Sequence, residues 1–131
     1  MKGLDTNVLV RYIMQDDAKQ ARKATKIIES MDASNPGFVS NISLVELYWV
    51  LTSCYDLSNA QVTQAIEIMM RAKTFVLERP EQIARTLNLF KAGKADFADC
   101  LIHRSTIDAG CTETLTFDVS AAKHAGMTLI P

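Results

Sequence analysis

Lys2-Gly3-Leu4-Asp5-Thr6-Asn7-Val8-Leu9 opens the chain as a short apolar segment that ends on a carboxylate and runs into a helix-like pattern. Residues 3–6 read as a first strand. Val8, Leu9 and Ile13, with Tyr12 beside them, give residues 7–14 the spacing of a short helix. Strand-like and helix-like segments keep alternating from there, which predicts an α/β fold with a mainly parallel sheet. Asp16 and Asp17 open a second helix from its acidic end. Ala21, Ala24, Ile28 and Met31 form its inner stripe, and Lys19, Arg22, Lys23 and Lys26 its outer face. Asn35-Pro36-Gly37 is a turn signal, followed by a strand at 38–40. Residues 44–51 are apolar nearly all round and predict a buried helix. Ser58 caps a helix running to about residue 71, residues 74–77 are strand-like, and Pro80 starts a helix that Gly93 ends. A further helix spans 96–109, with Asp96 in the cap position and Gly110 as its stop. Strands at 114–117 and 127–130, with a helical 121–125 between them, are expected to complete the sheet.

With 131 residues, 48% of them hydrophobic and 22% charged, the chain is expected to form one globular domain over 1–131. No apolar run approaches bilayer-spanning length and no signal-peptide pattern follows Met1, so a cytoplasmic protein with no membrane partner is expected. Cys54, Cys100 and Cys111 are odd in number and lack metal-type spacing, and read as small buried thiols in a reducing compartment. A net charge of −1 gives no global attraction to nucleic acid, so a polyanion would need a local basic patch or bound metal.

Asp5, Glu46, Asp99 and Asp118 each sit inside an otherwise apolar segment. Asp5 and Asp118 are expected to close strands, while Glu46 and Asp99 are expected in the first turns of helices. All four then belong to the carboxyl edge of a parallel sheet, where open α/β folds place their ligands. Each also has a purely structural reading. Ser43-Leu44-Val45-Glu46 matches a capping box, Asp96 and Asp99 suit a helix start, and Asp5 and Asp118 suit strand-end turns. Two carboxylates about 4 Å apart repel by roughly 4 kcal/mol at an effective dielectric near 20. Clustered acids must therefore take up protons or cations. Oxygen donors favour Mg²⁺ or Mn²⁺, and neither His103 nor His124 belongs to a zinc-type cluster. Such a site activates water against a phosphodiester.

In order, Leu4-Asp5-Thr6-Asn7, Ser43-Leu44-Val45-Glu46, Ala95-Asp96-Phe97-Ala98-Asp99-Cys100-Leu101-Ile102 and Thr116-Phe117-Asp118 resemble the motifs of PIN-domain nucleases. The small size is most similar to the VapC toxins of prokaryotic toxin–antitoxin pairs. The resemblance implies a three-layer α/β/α sandwich and an endoribonuclease holding one or two Mg²⁺ or Mn²⁺ ions. It implies Asp5, Glu46, Asp99 and Asp118 as catalytic metal-holding residues, with Asn7, Ser43, Asp96 and Thr116 in support. Asp96 is a second candidate ligand; Asp99 is favoured because Asp96 suits the helix cap. A small antitoxin and a second copy of the chain are the implied protein partners, and the surface around Tyr48, Trp49 and Tyr55 is a candidate for either.

For the RNA itself, Arg11, Lys91, Lys94 and His103 are the candidate contacts, His103 lying one turn beyond Asp99. An aspartate-nucleophile phosphatase would need an acid where Asn7 stands, and no Gly-rich phosphate loop is present. The remaining alternatives are a non-catalytic PIN-like module binding RNA or protein, and a free-standing metal-dependent phosphohydrolase. The clustered acids speak against a pure binder.

Overall fold

In the computed structural model, which describes residues 1–131, β1 spans only Lys2–Gly3 and α1 spans Thr6–Met14. The boundary falls early because of Asp5. Its backbone is extended and its Oδ1 accepts the Thr6 amide at 2.7 Å, so the residue expected to close the strand is the N-cap of the helix. Strand-like pairing still reaches Leu4, whose N–H donates to the Phe38 carbonyl at 2.9 Å.

The chain divides into two compact units, Met1–Arg79 and Pro80–Pro131. In the first, α1 is followed by α2 (Ala18–Glu29), β2 (Gly37–Val39), α3 (Asn41–Ser53), α4 (Asn59–Arg71) and β3 (Phe75–Leu77). The strands form a parallel sheet in the order β1-β2-β3, with Gly3 opposite Phe38 and Phe38 opposite Val76. Gly37 begins β2 instead of ending the turn, and it has to be small. A Cβ there would lie 2.6 Å from Leu4 Cδ1 and 2.9 Å from Met31 Sδ. The stripe Ala21, Ala24, Ile28 and Met31 is buried as expected. Ser58 caps α4 in a full capping box with Gln61.

α3 departs from its expectation. Leu44, Leu47 and Leu51 are wholly buried, but Ile42 is 74% exposed and Trp49 62%. Its contacts with α1 and α4 cover one side only, and its sequence has no polar stripe to turn outward.

In the second unit α5 (Pro80–Ala92) packs on α6 (Phe97–Asp108), with Phe90 and Phe97 edge to face at a centroid separation of 5.8 Å. β4 (Leu115–Thr116), α7 (Val119–His124) and β5 (Thr128–Leu129) follow. β4 and β5 were expected to complete the sheet of the first unit; they instead hydrogen-bond to each other, as a separate parallel pair. Strands of two residues offer few ladder bonds, and these are used within the pair: Thr128 N–H to the Thr114 carbonyl at 2.7 Å and Ile130 N–H to that of Thr116 at 2.8 Å. Parallel pairing throughout and seven helices make this an α/β fold of the PIN type. All three thiols are free, but only Cys100 is buried; Cys54 and Cys111 are exposed. No helix is long and apolar enough to cross a membrane.

Candidate functional site

In the first unit the sequence places an extended Ser40 before α3, and its Oγ accepts the Ser43 N–H at 3.1 Å. The helix therefore begins two residues before Ser43. Glu46 lies beyond its first turn, so the capping box expected between Ser43 and Glu46 does not exist. Ser43 is buried, and its hydroxyl meets that of Ser40 at 3.2 Å. Glu46 is exposed and its Oε1 accepts the Thr6 hydroxyl at 2.9 Å. Thr6 is 7% exposed and begins α1 directly after the Asp5 cap. Asp5, Thr6 and Glu46 thus form one short chain of bonds linking α1 to α3.

Asn7 is exposed at the next position of α1. Arg11 is committed on several sides. Its Nε donates to Gln20 Oε1 at 2.7 Å, and its Nη1 reaches Asp16 at 3.3 Å and the Tyr55 hydroxyl at 3.1 Å.

In the second unit Asp96 occupies the N-cap of α6, yet its side chain makes no capping hydrogen bond. The cap role that set it behind Asp99 is therefore not exercised. Asp99 lies in the first turn of α6. Its carboxyl holds its proton more tightly than an ordinary aspartate, first because it is partly desolvated and then because Asp96 and Asp118 both repel its charge. The neighbouring Cys100 thiol is pushed up to about 11, by burial first and then by Asp96 and Asp99. Asp118 caps α7, accepting the Ser120 and Ala121 amides at 2.8 and 3.2 Å. Thr116 Oγ1 accepts the Asp118 N–H at 3.0 Å, which fixes the backbone that carries that carboxylate.

His103 Nδ1 meets Thr114 Oγ1 at 2.9 Å, and the far side of its ring leaves room only for a glycine at 126, where φ is +83°. Lys91 ends α5, and Lys94 is exposed between α5 and α6.

Asp5 and Glu46 are thus associated within the first unit, and Asp96, Asp99 and Asp118 within the second. Ser43 is turned to Ser40, Arg11 to Asp16 and Tyr55, and His103 to Thr114. Thr6 is the participant that sequence reasoning passed over. Its hydroxyl stood between Asp5 and Asn7 in plain view, but only burial against α3 shows what it bonds.

By donor chemistry these carboxylates suit a hard divalent cation, since all are oxygen ligands and Asp99 faces charges of its own sign. No three His, Cys, Asp or Glu side chains close around one position.

Asp5, Asp96 and Asp118 stand at helix starts on an α/β fold with parallel strands, an arrangement compatible with hydrolysis of phosphate esters. The family model of the PIN domain matches residues 3–127, and the chain belongs to that family. PIN domains are generally nucleases and typically use divalent metals, which places this chain among hydrolases of nucleic acid. No match to the chain was found among curated proteins.

Proposed function

We propose that the protein is an endoribonuclease dependent on Mg²⁺ or Mn²⁺, with Asp5, Glu46, Asp99 and Asp118 as its metal-holding acids. The observation that carries this is Asp99 in the first turn of α6, whose proton affinity is raised by partial desolvation first and then by the charges of Asp96 and Asp118. Capping places Asp118 at the start of α7, but neither that nor the idle cap position of Asp96 relieves the repulsion at Asp99; a cation in place of the proton does. The metal, when bound, supplies a water of lowered pKa and neutralises charge on the leaving oxygen. The chain's own residues hold their carboxylates in place. Thr6 orients Glu46, the α7 amides and Thr116 orient Asp118, and Asp5 is fixed at the start of α1. Asp96 is free of capping duty and ranks with Asp99 as a direct ligand.

The single-domain reading of 1–131 is supported by the family match, which spans both compact units. We assign the chain further to the toxins of toxin–antitoxin pairs, acting in the cytoplasm, on the resemblance of its ordered motifs. A homodimer is supported by Ile42 and Trp49, which leave an apolar stretch of α3 uncovered.

The test is cleavage of single-stranded RNA with Mn²⁺ by wild type and Asp99→Asn, alongside calorimetry of Mn²⁺ binding. Loss of both cleavage and Mn²⁺ uptake in the variant is expected. Metal-independent cleavage, or full activity of Asp99→Asn, would reject the assignment.

A further inference from the structure

A groove of about 410 Å³ runs between α1 and α2 in the first unit, within the range of about 300–1,000 Å³ that ligand sites occupy. Its lining is polar at Asn7, Arg11, Gln20 and Lys23 and apolar at Val8, Ala24 and Ile27, and each helix supplies both kinds. Ile27 is 49% exposed, an apolar side chain with open space beside it.

The polar lining has donors to spare. A guanidinium carries five N–H groups. Arg11 spends that of Nε on Gln20 and uses Nη1 on Asp16 and Tyr55, which leaves both N–H groups of Nη2. Asp16 offsets the charge of Arg11, so Lys23 is the groove's uncompensated cation. Lys19, Arg22 and Lys26 continue the positive charge along exposed positions of α2, on a chain whose net charge is −1. Asn7, in the same lining, is two residues from Asp5.

We infer that this groove binds one nucleotide of the RNA strand flanking the cleaved bond. Its base lies against Val8, Ala24 and Ile27, Asn7 meets its polar edge, and Lys23 meets its phosphate. Anionic phosphate answers the cationic rim, and a flat heterocycle answers the apolar lining. The inference rests on the ribonuclease reading, because it takes RNA as the substrate.

The experiment is NMR titration of the full chain with AMP and UMP, combined with binding of a labelled RNA pentamer in metal-free buffer at several salt concentrations. Amide shifts concentrated at Val8, Arg11, Lys23 and Ile27 are expected. Lys23→Ala should reduce the salt slope of pentamer binding by about 0.7, the share of one phosphate contact on a single strand. Ile27→Asp, at an exposed position, should weaken the pentamer about tenfold and raise KM with kcat unchanged. Shifts confined to other surfaces, or an unchanged salt slope and affinity, would overturn the assignment, as would binding of an acidic apolar peptide in the groove with no binding of nucleotides. Cleavage by wild type is scored separately, so a nuclease with no nucleotide in this groove is distinguished from a chain that is not a nuclease.

Discussion

The Thr6 hydroxyl donates to the Glu46 carboxylate at 2.9 Å across 40 residues of sequence, tying the first turn of α1 to the middle of α3. A hydroxyl bonded to a carboxylate orients it without cancelling its charge, unlike a lysine or arginine. The bond therefore keeps Glu46 available to a cation while fixing where it points.

Thr6→Val keeps the shape and removes that donor. A hydrogen bond to a charged group contributes about 1.5–3 kcal/mol where it is buried, and the exposed Glu46 lowers this to about 1 kcal/mol. Urea denaturation should register that loss. Mn²⁺-dependent turnover should fall further than stability does, with KM for RNA little changed. A variant that cleaves at the wild-type rate would show that Glu46 needs no such orientation.

Asp99 gives a pH-dependent prediction. Because its folded proton affinity is raised, the native state binds this proton more tightly than the unfolded chain does. Its contribution to stability therefore falls as pH rises from the ordinary aspartate value of about 3.9 through the raised folded value, and stays low above it. Asp99→Asn should be more stable than wild type at neutral pH, with a higher Tm. The difference should vanish at strongly acid pH. Added Mn²⁺ should raise the Tm of wild type and leave the variant nearly unmoved. A variant less stable than wild type at pH 7 in metal-free buffer would contradict this.

Asp5 and Asp118 each cap a helix, and the choice of substitution separates that role from the metal-holding one proposed for them. Both are N-caps, Asp5 of α1 and Asp118 of α7, so replacing either with alanine removes a cap at a cost of about 1 kcal/mol along with the charge. Asn caps as well as Asp does. Asp5→Asn and Asp118→Asn should keep the wild-type Tm and lose cleavage, whereas the alanine variants should lose both. Cleavage retained by the Asn variants and lost only in the alanine ones would confine these residues to capping.

Where the sequence was legible, a local cause and a global one agreed. The Ala21-Ala24-Ile28-Met31 stripe, the Ser58 cap and the Gly110 stop were readable because spacing and cap chemistry fix them within a few residues. The placement of Asp96 at the start of α6 and of Asp99 in its first turn was readable for the same reason. What was not readable depended on partners distant in the chain. Ser43-Leu44-Val45-Glu46 has the letters of a capping box, but the extended backbone at Ser40 starts α3 earlier and frees Glu46 for Thr6. Trp49 looks like core in the apolar run 44–51, and only the packing of α1 and α4 on one side of α3 leaves it outside. β4 and β5 carry strand character but no signal of which neighbour they choose.

The three thiols should separate by reactivity. Thiolate is the reacting form, and Cys100 is buried with its value pushed up to about 11, so almost none is thiolate at pH 8. Cys54 and Cys111 are exposed. Iodoacetamide at pH 8 followed by intact-mass analysis should add two labels to the native protein and a third only after unfolding in guanidinium. Rapid labelling of Cys100 in the native state would mean that the start of α6 opens, and Asp99 with it.

Gly37→Ala tests the close approach that seats β2. The added methyl would fall 2.6 Å from Leu4 Cδ1 and 2.9 Å from Met31 Sδ, both on buried residues. Overpacking of this kind costs about 1–3 kcal/mol, and flexible Met31 sets the expectation at the lower end. Because Leu4 immediately precedes Asp5, relief by moving Leu4 would also shift the N-cap of α1. Urea denaturation should show the stability loss, and Mn²⁺-dependent cleavage should fall with it. Replacing Met31 with Ala in the same chain gives the methyl room on that side and should recover part of the cleavage lost to Gly37→Ala. A double variant that recovers none would show that the strain is carried by Leu4 alone.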